Sequence, residues 1–429
     1  MGETMIIKAR YVVTMVDELI VDGAVAFDGG RIIDVGTGDE VTRKHQDVKV
    51  IDLGNRIVMP ALVNAHSHVA ITDAAGLIES KEFLDWLVDL MPWMRSRTPD
   101  EFMRSSINGL NGMLKAGITT IGDSFFAPEP MIAALKMGFR GIFFHEVFGV
   151  SAVFQFAAIG KYTRELMARM DLEYDNCHLG ISPHAPYTVT PSVLRFVKKF
   201  SAADKMRISM HVAETLDELE FLRSSTGKFR RQFTPIGRRI PTTNLSPLEY
   251  IDSFGIVNDR FLAIHGVHLT ESEFGLLASR GGHLVTCPSS NRNLKTGRLD
   301  LRKPLNAGVN ACVGTDSPAS SDGIDLFNEL RLALGIGESD EIRMNPRDAL
   351  AMITKNPAKA LGFEKEIGTI EAGKSTDLIA LDIRGESSGL INIEDSIVRN
   401  TNADDVALAV SSGIVKYSRV PEMKMQSVL

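Results

Sequence analysis

Histidines and carboxylates stand at suggestive spacings in this chain of 429 residues. His66-Ser67-His68 closes an apolar run, and an i, i+2 spacing in an extended strand puts both imidazoles on one side. Two neutral imidazoles on one face make half of a metal site. Ile208-Ser209-Met210-His211-Val212-Ala213-Glu214 offers a third imidazole with a carboxylate three positions on, and Val313-Gly314-Thr315-Asp316 is a β-like run ending in another carboxylate. His66, His68, His211 and Asp316, with one position left for water, describe a catalytic rather than a structural divalent site. A bound divalent ion lowers the pKa of its water towards neutrality, and hydrolysis then needs a group to move a proton to the leaving side. Glu214 is placed to do so, and His265 could hold or polarise the water. The run Cys177 to His184 has no lysine that could bridge a second metal, so one ion is expected.

These residues need elements that bring them together. From residue 58 onward short apolar runs alternate with helix-like stretches, the rhythm of a parallel α/β architecture. Eight runs are expected as strands: 58–66, 118–125, 140–148, 177–184, 207–214, 261–266, 283–288 and 309–316. Nearly all end in a reactive group, the pattern of a (β/α)8 TIM barrel with its site at the C-terminal strand ends. An open doubly wound sheet would want a Gly-rich phosphate loop after the first strand, and none is there. Strand-like segments in residues 6–57 and again in 376–381 and 406–417 predict a small composite β-sandwich domain formed by both termini. The expected division is 1–57 plus 365–429 for that domain and 58–364 for the barrel, with residues 384–404 an exposed polar connection. The amphipathic segment Phe83 to Leu90 reads as a core helix in preference to one over the barrel mouth.

A net charge of −7 argues against nucleic acid or an anionic membrane as partner, and no apolar run has the length of a membrane span. Three scattered cysteines and a start without the features of a signal peptide predict a cytoplasmic protein with reduced thiols. A homo-oligomer, dimer or tetramer, is the expected assembly.

The motifs as a set resemble the amidohydrolase superfamily, in its deaminase/chlorohydrolase-like branch. They include Asn64-Ala65-His66-Ser67-His68, Gly117-Ile118-Thr119-Thr120, Pro183-His184-Ala185-Pro186-Tyr187, His211-Val212-Ala213-Glu214, His265-Gly266-Val267-His268, Cys287-Pro288-Ser289-Ser290-Asn291 and Gly314-Thr315-Asp316. The resemblance implies one divalent ion, zinc in preference to iron, held by His66, His68, His211 and Asp316. It implies Glu214 as proton shuttle, His265 as the water-orienting group and Asp316 as an added base, with hydroxide attack on an amidine-like ring carbon and loss of ammonia. Pro183 to Tyr187 is similar to S-adenosylhomocysteine and methylthioadenosine deaminases. Phe144 to Gly149 and Gly227 to Phe233 look more like aminodeoxyfutalosine deaminases of menaquinone biosynthesis. Both imply a 6-aminopurine nucleoside with a 5′ substituent as substrate. Expected substrate contacts are His184, Glu146, an aromatic face from Trp86 or Phe148, and Arg230 from the basic cluster at 228–239. The competing readings are the same machinery on guanine, a pterin or a triazine, and an inactive scaffold.

Overall fold

The computed structural model describes residues 4–149, 176–233, 240–383 and 392–423. The N-terminal strands are β1 (Met5–Val12), β2 (Ile20–Asp28), β3 (Arg31–Thr37), β4 (Lys49–Asp52) and β5 (Arg56–Pro60). The barrel strands are β6 (Leu62–Ser67), β7 (Ile118–Phe125), β8 (Arg140–Val147), β9 (Cys177–Pro183), β10 (Ile208–Val212), β11 (Phe261–His265), β12 (His283–Thr286) and β13 (Asn310–Val313). The chain then adds β14 (Leu378–Asp382), β15 (Val406–Ser411) and β16 (Ile414–Ser418).

Strands β6 to β13 lie side by side in chain order and run parallel, the (β/α)8 barrel expected from the alternating runs. β7 and β8 are buried along their whole length, which is why they read as nearly unbroken apolar runs. The terminal strands form one mixed sheet in the order β16-β15-β14-β5-β1-β2-β3, with β4 on β1. β5 pairs antiparallel with β14, so the two ends of the chain share a sheet.

The barrel closes at the functional end. Beyond the last residues of β13, Ser67 and Asp316 form a parallel bridge, and the Asp316 N–H donates to the His66 carbonyl at 3.1 Å. Asn64 clamps the same seam: its amide donates to Thr315 Oγ1 at 2.7 Å and accepts the Thr315 N–H at 3.1 Å. A Cβ on Gly314 would come within 3.1 Å of the His66 backbone, so glycine permits the approach. Asn64→Ala would leave the buried Thr315 N–H without its acceptor, while the Thr315 hydroxyl keeps the Asp316 carbonyl. It should cost about 1–3 kcal/mol, read as a lower urea midpoint with unchanged slope.

Three expectations are corrected. The run 58–66 is two strands, because Val58–Pro60 pairs in the terminal sheet and the barrel begins at Leu62; an unbroken apolar run hides that change of partner. The helix Phe83–Arg95 does more than the core role expected of it: Trp86 and Leu90 are buried in a core cluster with Phe102 and Phe125, and the same apolar side lines a cavity at the barrel mouth. Within 384–404, a helix spans Ile393–Asn400, capped by Asn392 and held by buried Ile397 and by Arg347 on Glu394 at 2.7 Å. Residues 384–391 lie outside the described residues. Among the described residues no helix is long and apolar enough to cross a membrane.

Candidate metal centre

His66 sits at the end of β6 and His68 just past it; β10 carries His211, and Asp316 follows β13 by three residues. One ligand atom from each of His66, His68 and His211 lies within 4.8 Å of the others. Asp316 Oδ1 is 3.7 Å from His66 Nε2 and 3.6 Å from His68 Nε2. Two donors about 2.1 Å from a shared cation at the tetrahedral angle stand roughly 3.4 Å apart, so these separations suit one small ion.

Tautomers point the same way. His68 Nδ1 faces the Ser124 carbonyl at 2.7 Å, and His211 Nδ1 faces the His184 carbonyl at 2.8 Å. A carbonyl only accepts, so each Nδ1 carries the hydrogen and each Nε2 keeps a lone pair for a cation. His66 has both ring nitrogens buried and unpaired. Such a group is costly unless something binds it, and a cation would. The donor set fits a divalent ion.

Burial pushes His66 and His211 well below the usual imidazole range, which keeps them neutral. Burial opposes the charge on Asp316, but His265, His66, His68 and the Ser290 hydroxyl outweigh it and hold the carboxyl at about 2. Ser290 Oγ donates to Asp316 Oδ2 at 2.7 Å. His265 Nδ1 meets Asn291 Oδ1 at 2.8 Å, leaving Nε2 3.6 Å from Glu214 Oε1 and 3.9 Å from Asp316 Oδ2. Burial, then Asp316 and Glu218, pushes Glu214 well above the usual carboxyl range. A carboxyl that titrates so high can hold a proton and release it to a base. The Glu218 carboxylate accepts the N–H groups of Ala213 and Glu214 at 2.9 and 3.0 Å. Ala213, His265 and Asp316 all take left-handed backbone conformations, with φ of 52°, 68° and 56°. Each costs roughly 1 kcal/mol, so strain gathers where the strand ends turn their side chains together.

These groups floor a cavity of about 430 Å³. His184, Glu146, Trp86 and Phe148 all line it. The Phe148 and His184 rings are 4.7 Å apart, and burial lowers His184 to about 3, leaving it neutral. Glu146 Oε1 is buried without a partner. The Trp86 indole donates to the Ala319 carbonyl at 3.2 Å.

Arg230 lies on the helix Gly227–Gln232 and is not among the described residues that line the cavity. Its neighbour Phe229 is buried 4.4 Å from the Tyr187 ring. Arg238 and Arg239 lie outside the described residues. The cation that does line the cavity is Arg95, which sequence reasoning missed. It also missed Glu218 and Ser290 as supports; Glu218 stands one helical turn from Glu214, the one signal that could have found it. His268 is held by the Thr296 carbonyl at 2.7 Å, away from the cavity.

The chain is similar to known proteins along most of its length. A 5-methylthioadenosine/S-adenosylhomocysteine deaminase of Pyrococcus furiosus is 31% identical over 392 residues, 89% of this chain and 87% of that protein. A zinc-bound adenosine deaminase structure from Xanthomonas campestris superposes with a TM-score of 0.84 at 25% identity, covering 97% of this chain and 93% of that one. The aminofutalosine deaminase of Helicobacter pylori shares the fold, with a TM-score of 0.79 at 24% identity over 96% of this chain and 99% of that one. The family-wide sequence pattern of the amidohydrolases matches residues 57–415, which spans the barrel and reaches into the terminal sheet, and the chain belongs to the amidohydrolase family.

Proposed function

We propose that the protein is a metal-dependent hydrolytic deaminase of a 6-aminopurine nucleoside with a 5′ substituent. The observation that carries this reading is the meeting of three imidazoles and Asp316 beside a high-titrating Glu214, at the floor of a cavity large enough for a nucleoside. His66, His68, His211 and Asp316 would hold one ion, zinc in preference to iron. That ion, when bound, supplies Lewis acidity and lowers the pKa of a water towards neutrality. Glu214 moves one proton of the attacking water to the ring nitrogen beside the amino-bearing carbon. His265 orients that water, and Asp316 passes the second proton to the departing amino group. The carbon–nitrogen bond breaks, a ring carbonyl forms, and ammonia leaves. Neutral His184 and Glu146 take the ribose hydroxyls, and Trp86 or Phe148 covers the purine face.

The deaminase activities of these relatives support the substrate class. We also place the domain division at the change of partner after Pro60, expect a dimer or tetramer, and keep the cytoplasmic assignment that three buried free cysteines suit.

Purified, metal-loaded protein should release ammonia from adenosine, 5′-methylthioadenosine, S-adenosylhomocysteine or aminodeoxyfutalosine, with loss of adenine absorbance. Metal-loaded protein inert on all four would overturn the reading, and turnover of guanine, a pterin or a triazine would redirect it.

A further inference from the structure

An acidic residue interrupts a buried apolar stripe. The helix Leu326–Leu334 follows β13, and Leu326, Leu330, Ala333 and Leu334 are all buried along one side of it. Glu329 falls on that same side, at helical spacing from Leu326 and Ala333, and is 1% exposed. A carboxyl is costly to bury there unless hydrogen bonds meet it. Both of its partners belong to Ser289, in the segment after β12 and 40 residues earlier. The Ser289 N–H donates to Glu329 Oε2 at 2.9 Å, and the Ser289 hydroxyl donates to Oε1. The Asp322 N–H donates to that hydroxyl oxygen at 3.2 Å, which leaves the hydroxyl hydrogen for Glu329. Three separate segments of chain thus meet at Ser289.

We propose that Glu329 is a positioning residue for the reaction: by fixing Ser289 it aims the next two side chains, Ser290 at Asp316 and Asn291 at His265. This rests on the deaminase reading, which gives Asp316 and His265 their proton work. Ser290 Oγ donates to Asp316 Oδ2 at 2.7 Å, and Asn291 Oδ1 meets His265 Nδ1 at 2.8 Å. Both come from adjacent positions of one short helix, Pro288–Asn293, so a shift of that helix disturbs both contacts together. The first N–H groups of a helix have no partner inside it, and Glu329 supplies one to Ser289 from another element. Glu329, Ser289, Ser290 and Asn291 are not among the described residues that line the cavity. Their displacement should therefore be felt in turnover and spare substrate binding. Glutamine can reproduce both contacts, its amide oxygen taking the Ser289 N–H and its amide N–H meeting the Ser289 oxygen. Leucine fills the volume and makes neither.

The experiment compares wild type, Glu329→Leu, Glu329→Gln and Ser290→Ala, each loaded with zinc for kinetics on 5′-methylthioadenosine and with cobalt(II) for spectroscopy. Glu329→Leu should lose about 10²-fold in kcat with KM within about two-fold, because misplacing a working group by roughly 1 Å costs that much. Glu329→Gln should recover most of the loss. The visible bands of the cobalt(II) protein report the geometry of the donor set without any turnover. Glu329→Leu should shift them in the same sense as Ser290→Ala, and Glu329→Gln should leave them in place. Wild-type kcat and wild-type bands in a less stable Glu329→Leu overturn the positioning role and leave Glu329 a packing residue. A loss expressed in KM overturns it too, as does a Glu329→Gln as impaired as Glu329→Leu. If Glu329→Leu fails to fold, Glu329→Asp, whose carboxyl stops one methylene short of Ser289, takes its place with the same outcomes. A wild type inert on 5′-methylthioadenosine and every other nucleoside overturns the deaminase reading instead, and the cobalt(II) bands still decide the role of Glu329.

Discussion

Glu214→Gln should keep its metal and its fold and lose at least about a thousand-fold in kcat/KM. General acid–base groups contribute about 10² to 10⁴-fold, and this residue both accepts the water's proton and donates it to the ring nitrogen, so the upper half of that range is expected. A thousand-fold corresponds to about 4 kcal/mol of barrier. The geometry makes glutamine a fair probe. Glu218 fixes the backbone of Ala213 and Glu214 through two N–H bonds, so the variant side chain enters the same place with nearly the same shape. What it lacks is a titratable proton. Burial, with Asp316 and Glu218, keeps this carboxyl protonated near neutral pH, so the amide copies its uncharged form and should leave the melting temperature nearly unchanged. Metal content by elemental analysis is the control. Loss of the ion in Glu214→Gln would make Glu214 a ligand, and full activity would give its proton work to another group.

Asp316→Asn should remove both metal and activity. Asp316 is the anion of the donor set, held ionised at about 2 by His265, His66 and His68 against the cost of burial. The amide keeps the size of the side chain and the Ser67–Asp316 bridge, which is a backbone contact, so the barrel seam should survive. The variant is expected to purify with less than about a tenth of an equivalent of ion and to lose at least about 10³-fold in turnover, the combined loss of Lewis acid and base. Thermal melts supply a second readout. An ion that binds only the folded state raises the melting temperature in proportion to the logarithm of its concentration over Kd. Chelated wild type should gain stability when zinc is restored, and Asp316→Asn should gain little. An Asp316→Asn protein that binds zinc as tightly as wild type would remove Asp316 from the donor set.

The local part of this architecture was legible in the sequence. β7, β8 and β11 are apolar runs bounded by turns, and each ends near a polar group, because a parallel strand buried on both faces admits polar side chains only where it emerges. Other features were not legible. Val58 to Ala65 shows one apolar run whether it makes one strand or two, since burial against either sheet asks for the same residues. Among the basic residues, charge alone cannot tell Arg230 from Arg95. The path of the mouth helix places Arg95 in the cavity lining, while Arg230 is not among the described lining residues.

The donor types, their places at strand ends and the barrel that gathers them follow from spacing and hydrophobic period within a few residues. Which lone pairs are offered, and how the strands meet, depends on partners far apart in the chain. The His211 proton is fixed by a carbonyl 27 residues back and the His68 proton by one 56 residues on. The seam depends on Asn64 meeting Thr315 across 251 residues. A hydrogen bond has a direction and a length that no local pattern encodes, and it exists only once the closing of the barrel has set both partners.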